Sequence, residues 1–275
     1  MLSLLRSTLT IMTPILFAAA GGLFPALAGS LNIALEGLLL IGAFASLTVF
    51  YFSGSVPLAI IAAAMAGTLL SAIHAFAFIK LKANNIIAGL AVNLFSAGLC
   101  IVLSDKIFNT RGVVTTPHAA GSGLVSFYFV FAVILLAVIW VVINKTPFGF
   151  RLRACEKNQE ALVSLNIKPQ AYNIVSILIS GFLCGIGGSF LSLNLGSFVP
   201  GMSAGKGWIA LVVIYLGAKK PQGVFAAAFV FALAEAFSNY AQGMFRIPAD
   251  FVLAFPYICT LIAMIAVSTL KSSRQ

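Results

Sequence analysis

Residues 126–143, SFYFVFAVILLAVIWVVI, contain no Lys, Arg, Asp or Glu and run directly into 144–170, NKTPFGFRLRACEKNQEALVSLNIKPQ. The first stretch, as a helix, is long enough to cross a ~30 Å hydrocarbon core. The second carries Lys145, Arg151, Arg153, Lys157 and Lys168 against Glu156 and Glu160. Such a change marks the point where a chain leaves lipid for water, and it places a polar basic island where a soluble partner can reach it. Working outward, 56–78 and 172–193 are equally free of charge. Of the 275 residues 61% are apolar and 8% charged, whereas a soluble domain has about 25% charged residues. The chain therefore reads as all-α, a polytopic membrane helical bundle. A barrel would show ~10-residue alternating strands, and that pattern is missing from the sequence.

Nine spans are expected, over 8–28, 34–53, 56–78, 85–104, 124–143, 171–194, 205–218, 222–242 and 250–270, with eight to ten crossings left open by the first and seventh. On this layout one side holds Lys80, Lys82, the five basic residues of 144–170, Lys219, Lys220, Lys271 and Arg274. The other side holds Arg6, Lys106, Arg111, Lys206 and Arg246. The richer side should be cytoplasmic, which puts the N-terminus outside and the C-terminus inside. The net charge of +10 is thus accounted for by membrane topology, and nucleic acid is not an expected partner. No cleavable signal is expected, because the run after Arg6 leads into Gly21, Gly22 and Pro25 without a small-residue cleavage site. Cys100, Cys155, Cys184 and Cys259 are scattered without a C-x-x-C pair, so neither a disulfide framework nor a metal site is indicated.

A weak internal repeat fits this layout. AGGLF at 20–24 is similar to IGGSF at 186–190, and VPLA at 56–59 with AAA at 62–64 is similar to KPQG at 220–223 with AAA at 226–228. With nine spans the matching segments run in opposite directions, as in an inverted repeat with halves over about 8–104 and 171–270. Both halves are interrupted, the first at Gly29–Asn32 and Glu36-Gly37, the second across 200–207, PGMSAGKG. Irregular backbone at membrane depth is tolerated only where protein or a water-filled cavity satisfies its polar groups. Each break reads either as a pathway or gate element or as an ordinary loop at the membrane surface.

Catalytic signatures fail quickly. H-E-x-x-H is absent; GMSAG at 201–205 has the G-x-S-x-G spelling but lies in a glycine-rich break between apolar spans, and His74 and His118 have no evident carboxylate partners. GMSAGK at 201–206 has one residue too few between its glycines for a phosphate loop, and Gly207 stands where a hydroxyl residue would hold Mg²⁺. The chain is expected to bind no cofactor itself, so any ATP and Mg²⁺ belong to a partner.

The island then becomes specific. TPFGFRLRA at 146–154, followed by Glu156, Asn158, Glu160-Ala161 and Asn166-Ile167, resembles the cytoplasmic coupling loop of ABC-importer permeases of the branched-chain amino acid/ribose/nucleoside family. The glycine-rich SGFLCGIGG at 180–188 fits the same family. LNIALEGLLLIGAF at 31–44 and KANNIIAGLAVNL at 82–94 resemble its nucleoside-type subgroup, whose receptors are lipoproteins. The likeness covers nearly the whole chain, and Asn166 departs from it where glycine is usual.

The resemblance implies a non-catalytic permease in the bacterial cytoplasmic (inner) membrane, paired with a second homologous permease. ABC ATPase subunits would dock on 144–170, and an extracytoplasmic solute-binding lipoprotein would deliver nucleosides, with riboflavin or sugars as alternatives. An ion-gradient-driven secondary transporter and a non-transporting scaffold are the rival classes. For coupling, a helix over about 146–165 would turn Phe148, Leu152 and Leu162 toward the partner's groove, with Arg151, Arg153, Glu156 and Glu160 around the rim. For the pathway, the candidates are Asn32, Glu36, Asn93, Asn194 and Glu235. Each has a structural alternative: Glu36 could satisfy backbone at the break, and Glu235, which is costly in lipid unless turned inward, could pair with Asn239. The asparagines could join neighbouring helices.

Overall fold

The structure, a computed structural model, describes residues 2–118 and 123–245. They form α1 (Leu2–Leu27), α2 (Leu35–Ser53), α3 (Val56–Ala75) with a π turn over Phe76–Lys80, and α4 (Asn85–Phe108). A short strand β1 (Val114–Thr115) then precedes α5 (Leu124–Lys145), α6 (Pro147–Lys157), α7 (Gln159–Ser164) and α8 (Pro169–Leu195). The chain continues through β2 (Ser197–Phe198), α9 (Lys206–Leu216) and α10 (Pro221–Phe245). Among the described residues seven helices, α1 to α5, α8 and α10, are long and apolar enough to cross a membrane. At 1.5 Å per residue the shortest and longest of them, 19 and 27 residues, reach about 29 and 40 Å. The expected span 205–218 becomes the 11-residue α9, too short to cross alone. The expected span 250–270 lies outside the described residues, so nine remains an approximate count.

Three helices make the centre. Met12, Leu16 and Phe17 of α1, Leu35, Leu38 and Leu39 of α2, and Cys184 of α8 are fully buried. Because lipid tails are as apolar as leucine, the helices are held by close packing and interhelical hydrogen bonds. The glycines of SGFLCGIGG provide the first: a Cβ on Gly185 would lie 2.2 Å from the Ala63 carbonyl oxygen of α3, and one on Gly188 2.1 Å from the Leu39 carbonyl oxygen of α2. Hydroxyl pairs provide the second, Ser46 with Ser192 at 2.6 Å and Tyr128 with Ser189 at 2.7 Å. Around this centre α3, α4 and α5 expose large apolar side chains such as Leu69, Leu94 and Ile134 on the outside of the bundle.

Contacts define the two membrane sides. Gly29 lies against Glu156, the Asn85 amide donates to the Leu31 carbonyl, and the Lys219 ammonium pairs with Glu156. The loops around 28–34, 81–84, 146–168 and 217–220 therefore share one face, the arrangement the basic residues lead one to expect for the cytoplasmic side. On the opposite face Tyr51 meets Phe108, Phe50 meets His118, and β1 pairs antiparallel with β2. That two-residue ladder is absent from the sequence reading; it joins the α4–α5 loop to the α8–α9 connection. Helices matched by the repeat run oppositely: on α1 and α8, Gly21 faces Ser180 while Phe17 faces Gly187. α10, like α8, starts on the face where α1 and α3 end.

Candidate functional site

The basic island folds as two helices. Thr146 is extended (φ −113°, ψ 153°) and Pro147 opens α6, where a fixed φ and a missing N–H carry no penalty. Asn158 leaves the helical region (φ −155°, ψ 82°), and its side-chain oxygen accepts the Ala161 N–H at 3.0 Å, capping α7. A single helix over 146–165 is thus replaced by a helix pair hinged at Asn158.

The faces also differ from the sequence expectation. Leu152 and Leu162 are buried, and the Phe148 ring sits 6.4 Å from Phe24 and 5.6 Å from Tyr172. These three therefore join the helix pair to the membrane bundle and do not face outward. The reason is packing: an 11-residue amphipathic helix gains most by burying its apolar stripe on the bundle beneath it. The outward apolar side chains are Phe150, Val163 and Leu165, 57%, 62% and 70% exposed.

The charged candidates hold this frame. Arg151 donates to the Tyr172 hydroxyl at 3.1 Å, and Arg153 donates to the Asn144 side-chain oxygen at 3.3 Å while lying over the Phe150 ring. Glu156 pairs with Lys219 of the α9–α10 turn at 2.5 Å. Glu160, exposed in the first turn of α7, suits the positive end of the helix dipole. Burial pushes the neighbouring Cys155 thiol above its ordinary range.

The two breaks meet each other. Glu36, second residue of α2, accepts the Gly205 N–H at 2.8 Å and the Gly207 N–H at 2.7 Å. It thereby caps α9, whose own N-cap, Gly205, offers no side chain and sits at φ +80°. A carboxylate at a helix N-terminus satisfies orphan amides and complements the dipole. Close approach is required here, since a Cβ on Gly207 would fall 2.3 Å from the Glu36 nitrogen.

Asparagines satisfy the first break. Asn32 donates to Ser180 at 2.8 Å and accepts the Ala34 N–H at 3.0 Å. Asn93 accepts the Gly37 N–H at 2.8 Å and donates to the Ile33 carbonyl at 2.9 Å. Ser96 donates to the Gly37 carbonyl at 2.7 Å.

Asn32, Glu36 and Asn93 are thus brought together at one layer, each engaged with backbone or a neighbouring helix. Asn194 stands apart, exposed at the outer end of α8. Glu235 is half-buried on α10. Among the described residues no group of three or more His, Cys, Asp and Glu is placed to hold a metal. Sequence reasoning missed Lys219, Gly205, Gly207 and Ser180 as partners. The signal for Lys219 was its place in the lone Lys-Lys-Pro turn; Gly205, Gly207 and Ser180 lie in the interrupted and glycine-rich stretches, which mark the region but not the partner.

Residues 4–265 match the family described as branched-chain amino acid transport system permease component. The chain is 31% identical to the nucleoside ABC transporter permease protein NupC of Lactococcus lactis, covering 92% of this chain and 88% of that one. It is 30% identical to the guanosine ABC transporter permease protein NupQ of Bacillus subtilis, covering 94% and 89%. The structure of PsaBC from Streptococcus pneumoniae in complex with Fab superposes with a TM-score of 0.61 at 12% identity, covering 94% and 90%, a likeness of fold. With its multi-pass bundle and its helix pair on the basic face, the chain belongs to the branched-chain amino acid transport system permease family.

Proposed function

We propose that this chain is the non-catalytic membrane subunit of an ATP-binding-cassette importer for nucleosides. ATPase subunits grip α6 and α7, a second permease completes the pathway, and an extracytoplasmic binding lipoprotein delivers the solute. The observation that carries the mechanism is the double attachment of α6: it abuts the α1–α2 break through Gly29 and the α9–α10 turn through Glu156 and Lys219. α9 is tied at its other end to Glu36 of α2. A push on α6 therefore acts on both ends of α9 and on the break it caps, so that motion of the ATPase groove becomes motion of helices at membrane depth.

The partner's contact is apolar at Phe150, Val163 and Leu165, beside a depression of about 310 Å³ bordered by Val163, Ile167 and Pro169. Nucleosides are favoured by the names of the similar permeases, whose identity extends over about nine-tenths of this chain. ATP and Mg²⁺ reside on the ATPase; Asn32, Glu36 and Asn93 border the pathway as the groups that hold its helix breaks, and Asn194 and Glu235 are its remaining polar lining.

Uptake of labelled nucleoside by cells carrying the whole transporter, with unlabelled nucleosides, riboflavin or glucose as competitors, tests the substrate. Only nucleosides should compete. Reversing Arg151 and Arg153 to Glu should abolish ATP-coupled uptake with the permease still in the membrane. Coupled uptake at the wild-type rate in that variant, or uptake that persists without ATPase subunits, overturns the reading.

A further inference from the structure

Between α5 and α10, just inside the face that carries α6, lies an apolar groove of about 430 Å³ walled by Leu136, Trp140, Val141 and Phe225. A second cavity, of about 330 Å³, adjoins it and is bordered by Arg153, Lys157, Lys219 and Lys220, with Glu156 as its acid. Trp140, Pro221 and Gln222 border both, so the two form one slot with an apolar lower part and a basic head.

Lys219 is already paired with Glu156, which leaves the charges of Arg153, Lys157 and Lys220 without a second acid among the described residues of the slot. Pro221 opens α10 at this same place, so the positive end of that helix adds to the field. Trp140 lies five residues before the end of α5, about 7 Å inside it, the depth where tryptophan favours the lipid–water boundary. Val141 and Phe225 are open on the outside of the bundle, so a molecule in the bilayer reaches the groove sideways.

We infer that this slot binds an anionic phospholipid of the cytoplasmic leaflet, its phosphate among Arg153, Lys157 and Lys220 and an acyl chain along Trp140 and Phe225. An occupant that fills both parts must carry an anionic head and an apolar tail in one molecule. Inorganic phosphate would leave the apolar groove empty, and a soluble polypeptide cannot enter from the hydrocarbon side. Basic pockets between spans on the cytoplasmic side recognise such headgroups. The bound lipid would brace α6 against the start of α10, next to the Glu156–Lys219 link. The inference rests on α6 facing the cytosol; a label that reaches the thiol of Val163→Cys only from outside intact cells would remove that footing separately.

The test uses the assembled transporter in nanodiscs of phosphatidylcholine with or without phosphatidylglycerol, delipidated stepwise and read by native mass spectrometry. The wild type should retain phosphatidylglycerol over phosphatidylcholine. Each lysine near the surface contributes about fivefold in binding. The double variant Lys157→Gln, Lys220→Gln should therefore lose retention by on the order of thirtyfold. Ala137→Trp, which fills the groove without touching a charge, should also lose it. Equal retention in wild type and both variants overturns the proposal. So does retention lost with the lysines but untouched by Ala137→Trp and matched by protection with inorganic phosphate, which would mean a simple anion site. A second permease seated in the groove in the assembled complex would overturn it as well.

Discussion

Replacing Glu36 by alanine probes the joint between the two halves. The carboxylate accepts two amides, those of Gly205 and Gly207, at 2.8 and 2.7 Å. Hydrogen bonds to a charged group contribute about 1.5–3 kcal/mol each, and a buried amide left without a partner costs about 1–3 kcal/mol. Glu36 is only partly buried, so water would satisfy part of what is lost, and the loss in local stability at the start of α9 should be about 3 kcal/mol. At about 1.4 kcal/mol per tenfold, the amides of 203–209 should exchange with deuterium on the order of a hundredfold faster in Glu36→Ala. Glu36→Gln keeps an acceptor but loses the charge, which roughly halves the strength of each bond; about tenfold is expected there. Peptide-resolved hydrogen exchange on the protein in nanodiscs measures both, with 180–190 of α8 as internal control. If transport fails while exchange of 203–209 stays at the wild-type rate, the capping argument is refuted and Glu36 acts on solute instead.

Other substitutions separate packing from exposure. Gly185→Ala puts a methyl against the Ala63 carbonyl and should lower stability by about 1–3 kcal/mol; Gly98→Ala on the outer side of α4, with nothing within 4 Å, should be neutral or gain up to about 1 kcal/mol. Thermal unfolding of the two in one detergent compares them. Asn158→Ala removes the α7 cap and should cost about 1 kcal/mol, seen as faster exchange in 159–164 with α6 unchanged. Cys155 is buried with its thiol pKa raised, so it holds its proton above the ordinary thiol range and yields less thiolate at any given pH. Maleimide labelling of Cys155 should therefore lag well behind that of Val163→Cys from pH 7 to 9, as read by peptide mass spectrometry; equal rates would place α6 the other way round.

Much of the architecture could be read locally. Charge-free runs such as 126–143 and 172–193 identify membrane helices because burial in lipid is a property of each segment alone, summed over some twenty residues. The basic island and the two interrupted regions were legible for similar reasons, since charge, proline and glycine act on their own neighbourhood. Which face of α6 turns inward was not legible. Phe148 and Phe150 lie two residues apart with the same chemistry, and only the position of Phe24 and Tyr172 beneath them determines which ring is covered.

The same holds for the joint at the breaks. Glu36 and Gly207 are far apart in sequence, and any acid near a break is a plausible cap or pathway group until the helices are packed. Composition and hydropathy thus establish that this chain is a membrane bundle with a polar basic island midway along it, because those free energies are local. The capping of α9 by Glu36 and the linkage of Glu156 to Lys219 arise from folding, because a hydrogen bond's partner is set by where the remaining helices place it.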